Sequence, residues 1–195
     1  MATTSRGSAP ARRVIAVRGG VARRRRDRLA GEEPMEIRAG GPGQEAAPVA
    51  VTMRTPGNDF ELAVGFLLTE GLLAADGVAE VRYCGLDDAE EQLFNVVSVR
   101  TREAFDAGLS RRATPATAAC GVCGKASLDA VEVRCDPVPP GLRVAASTLL
   151  GLPDALRAGQ EVFDRTGGLH AAGLFDAGGD LIALREDVGR HNAVD

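Results

Sequence analysis

Six consecutive residues, Cys120-Gly121-Val122-Cys123-Gly124-Lys125, form the densest chemical signal in the chain. A Cys-x-x-Cys loop brings two sulfurs together, and nearby amides and a cation lower a thiol pKa so that the thiolate is populated. Gly121 and Gly124 leave backbone N–H groups uncovered, and Lys125 supplies positive charge. A thiolate accepts a sulfane sulfur or attacks a disulfide. A loop of small residues also leaves it room to meet a donor and then an acceptor. Two other chemistries use this spacing. Cys120 and Cys123 are half of a tetrahedral zinc site if two of Cys84, Cys135, His170 and His191 complete it, although no second Cys-x-x-Cys pair is present. A thioredoxin-like oxidoreductase would place the motif directly after a strand and at the start of a helix. The small, loop-like residues 107–119 and Gly124 fit that arrangement poorly. Cys84 and Cys135 read as buried small hydrophobes.

A second cluster holds both histidines. Thr166-Gly167-Gly168-Leu169-His170 reads as a turn entering a strand, and Arg185-Glu186-Asp187-Val188-Gly189-Arg190-His191-Asn192 lies between a strand and a nascent helix. Backbone amides and arginines in such a place bind an anion such as a pyrophosphate, while the acids suit ribose hydroxyls or a guanine edge. The candidate ligand-binding residues are therefore Gly167, Gly168, His170, Arg185, Glu186, Asp187, Arg190, His191 and Asn192. The competing reading is an ion-pair network with capped helix ends.

The elements that position these clusters are legible in part. Arg12–Arg18, Glu33–Arg38 and Val49–Arg54 are predicted strands, with residues 1–11 and 39–48 flexible. Thr55-Pro56-Gly57-Asn58-Asp59 is a turn, and Asn58 or Asp59 caps a helix carrying Glu61 and Glu70. Its apolar face holds Leu62, Phe66, Leu67 and Leu73, and Gly71 falls near its end. Val78–Tyr83 and Leu93–Val99 read as a hairpin across an acidic turn, and residues 136–142 as a rigid break. Ala145–Phe163 is predicted helical, interrupted at Pro153. Asp176-Ala177-Gly178-Gly179-Asp180 joins two strands, His170–Phe175 and Leu181–Leu184.

Bulk composition narrows the class. The chain has 195 residues, 45% hydrophobic, enough for one well-filled core or a core with a small lobe. No apolar run approaches the roughly 20 residues that span a bilayer, and no apolar segment follows the early arginines as in a signal peptide. The expected setting is the cytoplasm, with the cysteines reduced and no membrane partner. The net charge of −4 is uneven: residues 1–30 carry nine arginines against Asp27, a balance of +8, which leaves −12 for residues 31–195. The run Arg23-Arg24-Arg25-Arg26 has the charge to touch a phosphate-rich ligand or nucleic acid, but the expected reading is a solvated, frayed tail. The acidic body argues against a nucleic-acid partner.

Four segments together resemble the FdhD family, the sulfurtransferase accessory proteins of formate dehydrogenase. They are Arg54–Leu67 with Thr69-Glu70-Gly71, Cys120–Gly124, Thr166–Ala172 and Arg185–Asp195. The resemblance implies a cytidine deaminase-like, three-layer α/β fold with a smaller N-terminal α+β lobe, usually as a homodimer. On that basis residues 1–11 are a flexible basic tail, 12–140 a lobe ending in the Cys-x-x-Cys loop, and 141–195 the start of the deaminase-like domain, which in the family continues further. A deaminase-like fold does not imply deamination: His170-Ala171-Ala172 lacks the glutamate of that signature. The resemblance also implies a cellular role. Sulfur is taken as a persulfide from a cysteine desulfurase and passed to the molybdenum cofactor, bis-molybdopterin guanine dinucleotide, that formate dehydrogenase requires. Cys120 would be the carrier, Cys123 its helper, and the second cluster the receiver of the guanine dinucleotide, with no resident metal. The alternatives are a non-catalytic chaperone for that cofactor and a zinc-stabilised binding module.

Overall fold

The computed structural model describes residues 7–84, 95–106 and 141–195. Cys120, Cys123, Cys135, the predicted loop 107–119, the acidic turn between the hairpin strands and most of the 136–142 break lie outside those residues.

Strands β1 (Ala11–Arg18) and β2 (Val21–Arg28) form an antiparallel pair closed by Arg18↔Val21. The two-residue turn is Gly19-Gly20, with φ of 55° and 79°. Both residues need positive φ in a turn whose twist matches the strands, which glycine supplies without steric cost. The frayed tail expected at Arg23–Arg26 is thus corrected: those arginines are paired strand residues. Four like side chains in a row conceal the alternation that marks a strand, and Gly-Gly was the remaining signal.

The main sheet has the order β4-β3-β6-β5. It comprises β3 (Glu33–Gly40), β4 (Ala47–Arg54), β5 (Val78–Tyr83) and β6 (Val96–Thr101). The expected flexible stretch 39–48 shortens at both ends, because Ala39 and Gly40 extend β3, while Ala47 and Pro48 begin β4. Pro48 sits opposite Arg38, where the register shifts. A bulge on an edge strand tolerates a residue with no N–H to donate. β5 and β6 pair antiparallel as expected, but β6 also pairs parallel with β3. Parallel neighbours need a crossover, and helix α1 (Asp59–Thr69) lies on that path.

The core sits between α1 and this sheet. Leu62, Ala63 and Leu67 pack with Met35, Ile37, Ala39, Val49, Val97, Val99 and Phe105. Phe66 and Leu73 of the predicted apolar face are partly buried against it, and Leu73 lies beyond the helix end. Asn58 occupies the N-cap position but its side chain makes no capping bond, and Glu70 is the C-cap, outside the helix body.

The C-terminal part contains α2 (Ala146–Gly159), α3 (Glu161–Thr166), β7 (His170–Phe175), β8 (Leu181–Asp187) and α4 (Arg190–Val194). The interruption expected at Pro153 falls instead at Gln160; Pro153 stays inside α2. β7 and β8 pair antiparallel across the expected Asp176 turn. There Asp176 Oδ1 accepts from the amides of Gly178 (2.8 Å) and Asp180 (2.9 Å). β8 runs three residues past Leu184, so Arg185, Glu186 and Asp187 stand on a strand. Cys84 is a free thiol, half-buried rather than buried, at the end of β5.

Candidate functional site

The Thr55–Asp59 turn is held from below by buried charge. Arg54, the last residue of β4, is 2% exposed, and its Nε and Nη2 donate to Asp59 Oδ1 (3.2 Å) and Oδ2 (2.9 Å). Its Nη1 donates to the Glu33 carbonyl at 3.2 Å and approaches the Glu33 carboxylate at 3.5 Å. Tyr83 donates its hydroxyl to Asp59 Oδ2 at 3.1 Å, and the Gly57 amide donates to Asp59 Oδ1 at 3.3 Å. Burial, followed by the Asp59 charge, pushes the Tyr83 phenol above its ordinary range. A buried charge keeps its ionised form only when paired and hydrogen-bonded, and Arg54 with Asp59 meets that condition.

The same turn is clasped by the Arg185–Asn192 segment. The Thr55 amide donates to Asp187 Oδ2 at 2.8 Å, and the Val188 amide donates back to Thr55 Oγ1 at 3.1 Å. Asp187 Oδ1 accepts from the Gly189 amide (2.7 Å) and from Asn192 Nδ2 (2.9 Å). Asn192 Nδ2 also donates to the Met53 carbonyl at 2.8 Å. Asp187 is buried, and burial pushes its carboxyl pKa up; its three donors and the Arg54 charge pull the other way. At the neighbouring positions, Glu186 accepts from the first-turn amides of α3, Val162 (2.8 Å) and Phe163 (2.7 Å). A carboxylate there satisfies N–H groups that have no intrahelical partner. Arg185 reaches α1 and forms a two-pronged ion pair with Glu61, with Nη2 to Oε1 at 2.6 Å. The guanidinium bond holds the Glu61 carboxyl below its ordinary pKa.

These contacts leave a cleft of about 410 Å³ between the turn and the start of α3, lined by Thr55, Pro56, Gly57, Asn58, Val162 and Glu186. A recess of about 60 Å³ on the other side of Asn58 includes Glu61, Arg185 and Asp187. The nine expected binding residues therefore divide into two groups. Arg185, Glu186, Asp187 and Asn192 are committed to internal partners. Gly167, Gly168, His170, Arg190 and His191 are exposed, and the side chains of His170, Arg190 and His191 make no hydrogen bond among the described residues. Thr55, Asn58 and Glu61 were absent from the sequence-derived set; the Thr-Pro-Gly-Asn-Asp run was readable as a turn, and its wall-forming role depends on contacts from 132 residues away. Among the described residues no three His, Cys, Asp or Glu side chains gather as a metal-binding group.

The comparisons with known proteins define the class. Residues 30–195 match the model of the FdhD/NarQ family. The chain belongs to that family. It is 50% identical to the sulfur carrier protein FdhD of Streptomyces avermitilis, over 94% of this chain and 66% of that protein. It is also 50% identical to the sulfur carrier protein FdhD of Mycolicibacterium paratuberculosis, over 94% of this chain and 68% of the relative. The chain thus spans about two thirds of the length of these curated relatives. A Desulfotalea psychrophila crystal structure, described as a putative formate dehydrogenase accessory protein, shares the fold with a TM-score of 0.60. That match has 18% identity and covers 95% of this chain and 63% of that one. The expected mixed α/β architecture stands on that likeness. No helix among the described residues is long and apolar enough to cross a membrane.

Proposed function

We propose that this protein is a sulfurtransferase of the cytoplasm that carries sulfur as a persulfide on the Cys120-Gly121-Val122-Cys123 loop and delivers it to the molybdenum cofactor required by formate dehydrogenase. The observation that carries the reading is that this loop, with its flanking Gly124 and Lys125, lies inside the residues matched to a family whose relatives are named sulfur carriers.

The first step is a transfer between sulfurs. The Cys120 thiolate attacks the terminal sulfur of a persulfide on a cysteine desulfurase. A bond forms from Cys120 to that sulfur, the donor's S–S bond breaks, and the donor leaves as a thiolate. In the second step the Cys123 thiolate attacks Cys120 Sγ. Hydrosulfide leaves toward the acceptor, and a Cys120–Cys123 disulfide forms, which a cellular dithiol reduces. The acceptor, bis-molybdopterin guanine dinucleotide, is a substrate. The exposed groups (His170, Arg190, His191 and the Gly167-Gly168 backbone) are the proposed contacts for its pyrophosphates, while Glu186, Asp187, Asn192 and Arg185 shape the wall beside them. A homodimer and a deaminase-like arrangement of residues 141–195 complete this reading.

The test is intact mass after incubation with a cysteine desulfurase and cysteine. Wild type should gain the mass of at least one sulfur atom, lost on treatment with dithiothreitol, and Cys120→Ala should gain none. Unchanged mass in wild type, with support of formate dehydrogenase preserved in Cys120→Ala, would replace sulfur transfer with the chaperone reading.

A further inference from the structure

The β1–β2 hairpin lies ahead of the residues matched by the family, which begin at residue 30, and the site described above does not use it. It holds eight arginines and one aspartate. Between its end pairs, Ala11↔Arg28 and Arg18↔Val21, the register sorts the other six arginines onto two faces. One face carries Arg12↔Asp27, Val14↔Arg25 and Ala16↔Arg23. There Val14, Ala16 and Asp27 are half-buried, and Arg25 is paired with Asp27 at 2.5 Å. The other face carries Arg13↔Arg26, Ile15↔Arg24 and Val17↔Ala22, and all six are exposed. Ile15 is 65% and Val17 66% exposed, too much for either to be part of this chain's own core.

We infer that this outer face is a docking surface for an acidic segment of a partner protein. An aliphatic centre rimmed by arginines has the composition of a protein interface, with apolar burial inside and charged pairing at the edge. The positive charge excludes a basic partner and steers an acidic one. Nucleic acid fits less well. Residues 7–31 contain no aromatic side chain on which a base could stack, and the −12 of the remaining chain repels a long polyanion. An anionic membrane lacks its usual Trp or Tyr anchors there for the same reason. The hairpin is joined to the rest of the chain on its other side, where β2 touches α3. This inference does not rest on the sulfur-transfer reading.

The test measures binding by the full chain to a fluorescent peptide of repeated Glu-Val-Asp-Leu, by anisotropy, with a DNA duplex and phosphatidylserine vesicles as rival probes. Wild type should bind the peptide more tightly than either rival, with affinity falling as salt screens the pairing. Arg24→Glu/Arg26→Glu should weaken it by at least about tenfold, and Arg12→Glu/Arg23→Glu, on the inner face, by clearly less. Urea unfolding midpoints equal to wild type confirm that the variants fold; Arg24→Gln/Arg26→Gln serves if the reversal does not. Absence of peptide binding, tighter binding of DNA or vesicles, or equal loss from both faces would overturn the proposal. So would self-association of wild type that the Arg24→Glu/Arg26→Glu variant abolishes, since that would put a second copy on the face.

Discussion

The four-stranded sheet and the β7–β8 hairpin are built on different principles. The sheet has a dry interior: Met35, Ile37, Leu67, Val97 and Val99 are fully buried between it and α1. The β7–β8 hairpin and α2 together bury no apolar side chain; Leu150 is 81% and Ile182 63% exposed. Directional polar bonds tie the second region to the first: Asp187 with the Thr55 amide, Asn192 with the Met53 carbonyl, and Arg185 with Glu61. Hydrophobic burial is non-directional and holds one half together. Hydrogen bonds have strict geometry, and they set the other half's angle at the cleft.

The contrast can be broken most severely at Arg54. Arg54→Ala would leave Asp59 buried without its cation, a change that costs about 3–5 kcal/mol, read as a fall in the urea midpoint. Next is the core itself. Ile37→Ala should cost about 2–5 kcal/mol, whereas Leu150→Ala should stay within about 0.5 kcal/mol. Similar losses at both positions would erase the distinction between the regions.

Gly65 gives a sharper test of the junction. A Cβ there would lie 1.7 Å from the Asp195 carbonyl oxygen, so α1 and α4 meet only because the position is glycine. Gly65→Ala should cost about 1–3 kcal/mol and speed amide exchange in Arg190–Val194 more than in β3.

The smallest effects separate the two regions by pH. Asp187 has a raised folded pKa, so its contribution to stability is full below 3.8 and lost as pH rises through the folded value. Glu61 has a lowered one, so its contribution is present above 4.5 and lost as pH falls through the folded value. The stability gap between wild type and Asp187→Asn should shrink as pH rises through that window, while the gap to Glu61→Gln should grow. Arg185→Ala should cost at most about 1 kcal/mol, with the loss fading in high salt.

Local signals carried much of this into the sequence. The Asp176–Asp180 turn marks the β7–β8 hairpin because an aspartate that can fold back on its own amides is followed by glycines. The α1 face was visible through Leu62 and Leu67. Arg23–Arg26 was opaque because a strand of identical charged side chains has no visible period. The cleft was half legible: the polar run at Arg185–Asn192 stood out, yet nothing local distinguishes Glu186, which caps a helix, from Arg190, which faces solvent. Those assignments depend on long-range contacts, which no periodicity encodes.

The bond from Thr55 to Asp187 spans 132 residues and so has a meaning in time. A ribosome adds about 5–20 residues per second, so the acceptor for the Thr55 amide is synthesised roughly 7 to 26 s after the turn. Arg54 and Asp59, five residues apart, can pair almost at once. During that interval the turn has been made and one wall of the cleft has not. The pace of translation between them governs how long that half-built opening is presented to the cell.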